Sequence, residues 1–364
     1  MRITVITSPF GPLPPDAVGA VEKLFYLLAG EWVKAGHDIC FICAGGGDNE
    51  KIRHVRLKKY RRTGSTKKDL IWDFLYSMKA LLRCPKTEIL LCNTFWSPFL
   101  APLFRWKYRR LVYGVHRYPK RQFFLYPFAH SFICVSTAVA DALRRQIGDD
   151  KRIAVINNPI DAEVFRPIDG DRPKKPIVAY AGRVHPEKGL DILFDACERL
   201  VGDIGLTIRL FGPCDVANGG GGEAYVAVLK AKAPHVRVEF LGAMHNPKAL
   251  AAALRECMVF VYPSVAERGE SFGVAPLEAM GLGLPVVLSD LACFGDYAED
   301  GENCRMFHRG ESAVEECAER LHELLTDDNL RTRLGVSAKY VSERFSAQAV
   351  AGRYINKFME VMHG

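Results

Sequence analysis

Residues 258–283 read MVFVYPSVAERGESFGVAPLEAMGLG. MVFVYPS is a short apolar run ended by Pro263, the pattern of a buried strand. The polar loop AERGES and the pair Phe272-Gly273 follow. From VAPLEAMGLG a helix is predicted, with Pro276 in its first turn, where the missing N–H breaks no intrahelical bond. A strand leading through a loop into a helix points that helix's free N–H groups at the strand end, a ready site for an anion. Gly273 lets backbone approach such a ligand closely. Glu270 and Glu278 stand on either side of this corner. At that spacing they could read two polar groups about one sugar apart; two solvated surface glutamates is the plainer alternative.

The same grammar recurs along the chain. RITVIT (2–7) reads as a strand, followed by a Pro- and Gly-rich loop, a helix from about Ala17 to Ala35 closed by Gly36, and a strand over His37–Cys43. IVAYAG and TIRLFG read as strands and LDILFDACERL as a helix. Strands alternating with helices imply parallel sheets covered on both faces, the doubly wound α/β class. The Pro-rich, mixed-charge run NPIDAEVFRPIDGDRPKKP (158–176) reads as a linker. Two Rossmann-like domains are therefore expected, residues 1–172 and 173–345, with a final helix over 346–364 packing back on the first. Ligands of such sheets bind beyond the carboxyl ends of the strands.

The whole chain bounds the function. Its 364 residues exceed one ordinary domain. No run of 18 apolar residues occurs, so no transmembrane helix is expected. The start MRITVITSPFGP lacks the apolar block and cleavage site of a signal peptide, which predicts a cytoplasmic protein. The 11 cysteines are scattered and odd in number, as expected of reduced, buried thiols. Cys40-Phe-Ile-Cys43 has no second CxxC or His pair to make a zinc site. AGGG (44–47) and NGGGG (218–222) do not continue into GK[ST], so they are read as flexible surface loops rather than phosphate loops. Asp169-Gly-Asp171 has a metal-binding form but falls in the linker, with no strand leading into it.

Charge divides unevenly. Residues 1–172 hold 28 Lys and Arg against 16 Asp and Glu, whereas residues 173–364 hold 21 against 26. The first half is thus expected to face an anionic partner. Its cations come mixed with aromatics, as in Lys58–Arg62, Trp106–Arg110 and Arg117–Arg121, a composition suited to an anionic membrane surface. The basic run of 51–68 carries no recognised nucleic-acid motif.

AYAGRVHPEKGLD places Arg183 and Lys188 just after a strand, five residues apart, where two cations could hold a diphosphate without metal. G-R-x-x-x-x-K-G (182–189) followed by E-x-F-G-x-x-x-x-E-A (270–279) closely resembles the retaining glycosyltransferases of family 4, of GT-B fold. AGHD (35–38), Val115-His116, ICVSTAVADALRR (133–145), INNPIDAEVF (156–165), VEFLGAM (238–244) and GLPVVLSD (283–290) extend the resemblance over nearly the whole chain.

The resemblance implies two Rossmann-like domains facing across a cleft, and transfer of a hexosyl or N-acetylhexosaminyl group from a nucleotide-diphosphate sugar to an acceptor hydroxyl. The anomeric configuration is retained, without metal or other cofactor, in glycan, polysaccharide or glycolipid synthesis. Arg183 and Lys188 would bind the diphosphate, Glu278 the ribose hydroxyls and Glu270 the transferred sugar. The backbone at Phe272, Gly273 and Val274 would hold phosphate and sugar. Gly242 to Met244 would lie near the base, Gly19 would let the N-terminal loop approach the donor, and His116 would face the reacting sugar. The acceptor would be a glycan or lipid-linked group held by the first domain. The cations and aromatics mixed there, rather than the resemblance, add the expectation of work at the cytoplasmic membrane face; a solvated basic face balancing an acidic second domain is the plainer alternative. The chain departs from the family pattern at Gly19-Ala20, at Asn158-Pro159-Ile160-Asp161 and in LACFGDYAEDGEN after Asp290, which leaves acceptor and sugar open. GDP-mannose, UDP-N-acetylglucosamine and UDP-hexoses all fit. A non-hydrolysing sugar-nucleotide epimerase and a catalytically silent binding subunit are the alternatives; the glutamate spacing and the GR…KG loop favour transfer.

Overall fold

A computed structural model describes residues 1–11, 13, 20–45, 50–167 and 175–364. Gly19, Asp169 and Asp171 lie outside the described residues, as do Ala17 at the expected helix start and most of the 44–47 glycine run. The chain forms two compact units, Met1–Pro159 with Ala347–Gly364, and Ile160–Ser346. Residues 160–167 go with the second unit, earlier than the 172/173 boundary drawn from composition. Ile160 bridges to Ser346 and donates its N–H to the Phe345 carbonyl at 2.9 Å.

The first unit contains strands β1 (Arg2–Ile6), β2 (Asp38–Ala44), β3 (Arg53–Leu57), β4 (Thr87–Cys92), β5 (Tyr108–Val115), β6 (Ser131–Cys134) and β7 (Ile153–Val155). Its helices are α1 (Ala20–Lys34), α2 (Thr66–Arg83), α3 (Ser97–Leu100) and α4 (Thr137–Ile147), plus the C-terminal helix Ala347–His363. Among the described residues the sheet is parallel, in the order β3-β2-β1-β4-β5-β6-β7. Its central strands are near-continuous apolar runs because helices cover both faces. Cys40 and Cys43 lie within β2, where burial pushes the Cys43 thiol up to about 11. α1 and the C-terminal helix share one buried seam: Trp32 stacks edge-on against Tyr354 at 5.7 Å and donates from Nε1 to the Ala351 carbonyl at 3.2 Å. Truncating a buried Trp of this kind costs about 3–5 kcal/mol.

The second unit contains β8 (Ile177–Ala181), β9 (Thr207–Phe211), β10 (Arg237–Phe240), β11 (Val259–Tyr262), β12 (Val286–Ser289) and β13 (Arg305–Phe307). Among the described residues these also run parallel, in the order β10-β9-β8-β11-β12-β13. Its helices are α5 (Leu190–Leu200), α6 (Gly222–Lys232), α7 (Pro247–Arg255), α8 (Val274–Gly281), α9 (Ala313–Thr326) and α10 (Asp328–Glu343). In both sheets the order reverses beside the first strand. That reversal opens a crevice at the carboxyl ends, where doubly wound sheets bind their ligands. Among the described residues no helix is long and apolar enough to cross a membrane.

Candidate active site

In the second unit the crevice falls between the ends of β8 and β11. β8 leads into Gly182 and Arg183, then a short 3-10 turn, Pro186–Lys188, and Gly189, the N-cap of α5. Gly189 has φ +62°, and a Cβ there would sit 2.2 Å from the Pro263 carbonyl oxygen, so only glycine lets this turn close on the end of β11. Val265 N–H and Ser264 Oγ both donate to the Glu187 carbonyl, at 3.1 and 3.4 Å. The two loops are thereby knit into one surface.

Lys188 and Glu270 meet inside it. Lys188 Nζ lies 2.6 Å from Glu270 Oε2, and their side chains are only 8% and 11% exposed. Tyr262 Oη donates to the same carboxylate oxygen at 2.9 Å, and the Lys188 ammonium sits 5.5 Å from the Tyr262 ring centre. Burial, with Glu270 beside it, holds the Tyr262 hydroxyl well above the usual phenol range, so it stays a proton donor. The pairing differs from the grouping read in sequence. There Arg183 joined Lys188 and Glu270 joined Glu278; in the structure Lys188 pairs with Glu270 while Arg183 pairs with Glu187. Arg183 also donates to the Gly219 carbonyl at 2.9 Å. The 218–222 glycine run, read as a flexible surface loop, is instead bonded in place: Gly221 N–H donates to the Val184 carbonyl at 2.7 Å, and Gly222 opens α6.

The corner quoted at the outset forms as a loop leading into α8. Gly273, its N-cap, has φ +78°, and a Cβ there would come within 2.6 Å of the Phe294 ring. Tyr297 Oη donates to the Gly273 carbonyl at 2.9 Å, fixing the turn beside Phe272 and Val274. No carboxylate occupies the first turn of α8, and Glu278 is half-buried further along it. Gly242 and Met244 follow β10 at the sheet edge, with β9 between β10 and β8. β10 and β8 are thus two strand spacings apart, roughly 10 Å.

In the first unit His116 directly follows β5 and is buried, with the Phe25 ring edge-on at 5.0 Å. Burial holds the imidazole down to about 4; a hydrogen bond with Asn158 pulls the other way and does not offset it. The ring is thus neutral at physiological pH. Glu22, in the first turn of α1, is also buried, and desolvation raises its carboxyl against the opposing pull of Arg117 and Arg62. Glu22, Tyr262, Glu187 and Asn158 were not read as site residues from sequence. Tyr262, Glu187 and Asn158 lie within stretches quoted above and Glu22 does not; the partners of all four become visible only once the chain is folded.

Residues 161–341 match the model described as glycosyl transferases group 1, and residues 19–164 match glycosyltransferase family 4. D-inositol 3-phosphate glycosyltransferase of Streptomyces bingchenggensis is 30% identical over 239 residues, 62% of this chain and 51% of that protein. Phosphatidyl-myo-inositol mannosyltransferase of Mycobacterium tuberculosis is 29% identical over 245 residues, 64% of this chain and 61% of that protein. The chain spans about half the length of the curated relatives it matches. Among solved structures, HepE of Anabaena in complex with UDP and glucose superposes with a TM-score of 0.76 at 19% identity, over 99% of each chain. At that identity the likeness shows the GT-B fold alone.

Proposed function

Because this chain belongs to the glycosyltransferases, of group 1 and family 4 type, we propose that it transfers a hexosyl or N-acetylhexosaminyl group from a nucleotide-diphosphate sugar to an acceptor hydroxyl, with retention. The observation that carries the reading is the buried Lys188–Glu270–Tyr262 cluster at the strand-order reversal, beside the carboxylate-free N-terminus of α8. Developing negative charge on a departing diphosphate is stabilised by fixed cations and N–H groups in such a place. Arg183, Lys188 and the backbone at Phe272, Gly273 and Val274 are assigned to the diphosphate. Glu278 is assigned to the ribose, Glu270 to the transferred sugar, and Gly242 to Met244 to the base. His116, as a neutral imidazole, is assigned a hydrogen bond to the sugar being transferred.

Retention would arise by front-face displacement, with a donor phosphate oxygen helping to deprotonate the acceptor and Glu270 orienting the sugar. A metal is not needed in this scheme, because Arg183 and Lys188 supply its charge. The acceptor is proposed to be a glycan or a lipid-linked, phosphate-bearing group, in keeping with the basic first half of the chain. The test is a panel of GDP- and UDP-sugars, first by thermal shift and then by turnover in excess EDTA, with the product anomer read by NMR. A raised Tm with one donor and an α-linked product in EDTA are expected. Inversion, or activity restored only by Mg²⁺ or Mn²⁺, would overturn the mechanism. An epimer formed without acceptor would overturn the transfer itself.

A further inference from the structure

α2 is amphipathic in the unusual sense. Its inward face buries Asp73, Tyr76, Ser77, Ala80 and Leu81. Its outward face carries Ile71, Phe74, Leu75 and Leu82 at helical spacing, with Ile71 and Leu82 58% and 57% exposed. The segment 97–107 repeats the pattern: Phe99, Leu103 and Trp106 point outward at spacings of four and three, with Trp106 68% exposed. The two stripes are locked side by side. Trp96 Nε1 donates to the Leu70 carbonyl at 3.0 Å, Lys107 Nζ donates to the Leu82 carbonyl at 2.5 Å, and the Trp96 ring contacts both Phe74 and Phe99. A contiguous exposed apolar ridge of this kind marks an interaction surface.

Charge selects its occupant. Lys67, Lys68, Lys79 and Arg83 are exposed on α2, Arg105 on the 97–107 segment and Arg109 just beyond it at the start of β5. The two carboxylates of α2 are turned to other work. Asp73 is buried and accepts the Trp96 N–H at 3.0 Å, and Asp69 accepts from Thr63 N and Oγ1 at 2.9 Å. No Asp or Glu occurs in the sequence between Glu88 and Asp141. An apolar ridge rimmed by cations matches the interface of an anionic bilayer, acyl chains beneath and phosphates above.

We propose that the α2 and 97–107 ridge docks on, and inserts its apolar side chains into, an anionic membrane surface. This deepens the anionic-acceptor reading by naming the surface that meets the lipid. Vesicle binding is measured without donor or acceptor, so its failure leaves glycosyl transfer standing.

The test is sedimentation with phosphatidylcholine vesicles, with and without phosphatidylglycerol, alongside tryptophan emission. Binding is expected only with phosphatidylglycerol, weakened but not abolished by salt because insertion is unscreened. A blue shift is expected that Trp106→Phe removes. Ile71→Ser/Leu82→Ser, and separately Leu103→Ser/Trp106→Ser, should each lower partitioning by at least about tenfold with Tm and nucleotide-sugar binding unchanged, since these side chains are exposed. No binding to phosphatidylglycerol vesicles would overturn the proposal. So would binding indifferent to both serine pairs, which would mean charge alone. A lipid-free dimer that the serine pairs dissociate would assign the ridge to a second copy and overturn it too.

Discussion

The two sheets begin with the same strand order, 3-2-1-4-5-6, yet the polar clusters at their carboxyl ends handle charge in opposite ways. In the second unit, charges are kept and matched: Lys188 with Glu270, Arg183 with Glu187, and Arg309 with Asp290 at 2.6 Å. In the first, burial works against charge, holding His116 neutral and raising the Glu22 carboxyl. Topology thus fixes where a site can be, and the side chains decide what it does. A matched, buried ion pair is suited to a ligand that brings its own charge, such as a diphosphate. A neutral imidazole is suited to hydrogen-bonding an uncharged sugar.

The largest expected effect breaks the matched side. Lys188→Met leaves the Glu270 carboxylate buried with only Tyr262 as partner, a change that costs about 3–5 kcal/mol when one member of a buried pair is removed. The double variant with Glu270→Gln should cost less than the sum of the singles by urea unfolding. Strict additivity would mean the pair does not interact in solution.

Next is the neutral side. The folded His116 value of about 4 lies below the ordinary 6.5, so between these pH values the unfolded chain binds more protons. Stability contributed by His116 is therefore present above about pH 6.5 and is lost as pH falls toward 4, on the order of 3 kcal/mol in all. Glu22, raised in the fold, acts with the opposite sign, its contribution falling as pH rises through its folded value. Tm followed against pH in wild type and His116→Asn isolates the histidine contribution. An imidazole seen by NMR to titrate near 6.5 would erase the contrast.

A kinetic comparison sharpens the two glutamates. Glu270→Gln should lower kcat by about 10- to 100-fold, as expected for an interaction made mostly in the transition state, while Glu278→Ala should chiefly raise KM. Equal effects on both constants in both variants would merge the assigned roles. The smallest change in stability belongs to Arg183→Ala. Its side chain is 44% exposed, so the ion pair with Glu187 contributes no more than about 1 kcal/mol. A rise in donor KM with Tm nearly unchanged is expected, and a large loss of Tm would show that the Gly219 contact is structural.

The α/β class, the strand-to-helix corner at 258–283 and the turn at 182–189 were all legible in the sequence, because each rests on local rules. A Pro-ended apolar run, a proline in a first helical turn and a glycine before a helix act over a few residues. His116 was named only through the family resemblance; its place at the end of β5 is seen in the structure. Pairings were not legible. Lys188 and Glu270 are 82 residues apart and meet only because β8 and β11 are neighbours where the strand order reverses. Tyr262 gave no sign, since an aromatic in an apolar strand reads as core whether or not its hydroxyl has a partner. The composition boundary at 172/173 differed from the contact boundary because polarity marks a loop, whereas the Ile160–Ser346 bridge decides which unit holds it.

The sequence by itself determined the alternation of strands and helices in the segments read above, the need for glycine at the Gly273 corner, and the excess of cations in the first half. Those features depend on neighbours along the chain or on counting. Tertiary structure alone decided which charges compensate one another and which titrate away, because desolvation depends on what packs overhead. It also decided that the apolar stripe of α2 faces outward. An amphipathic helix shows that it has an apolar face; only the packing of the rest of the chain, here through Asp73, Tyr76 and Trp96, determines whether that face is covered.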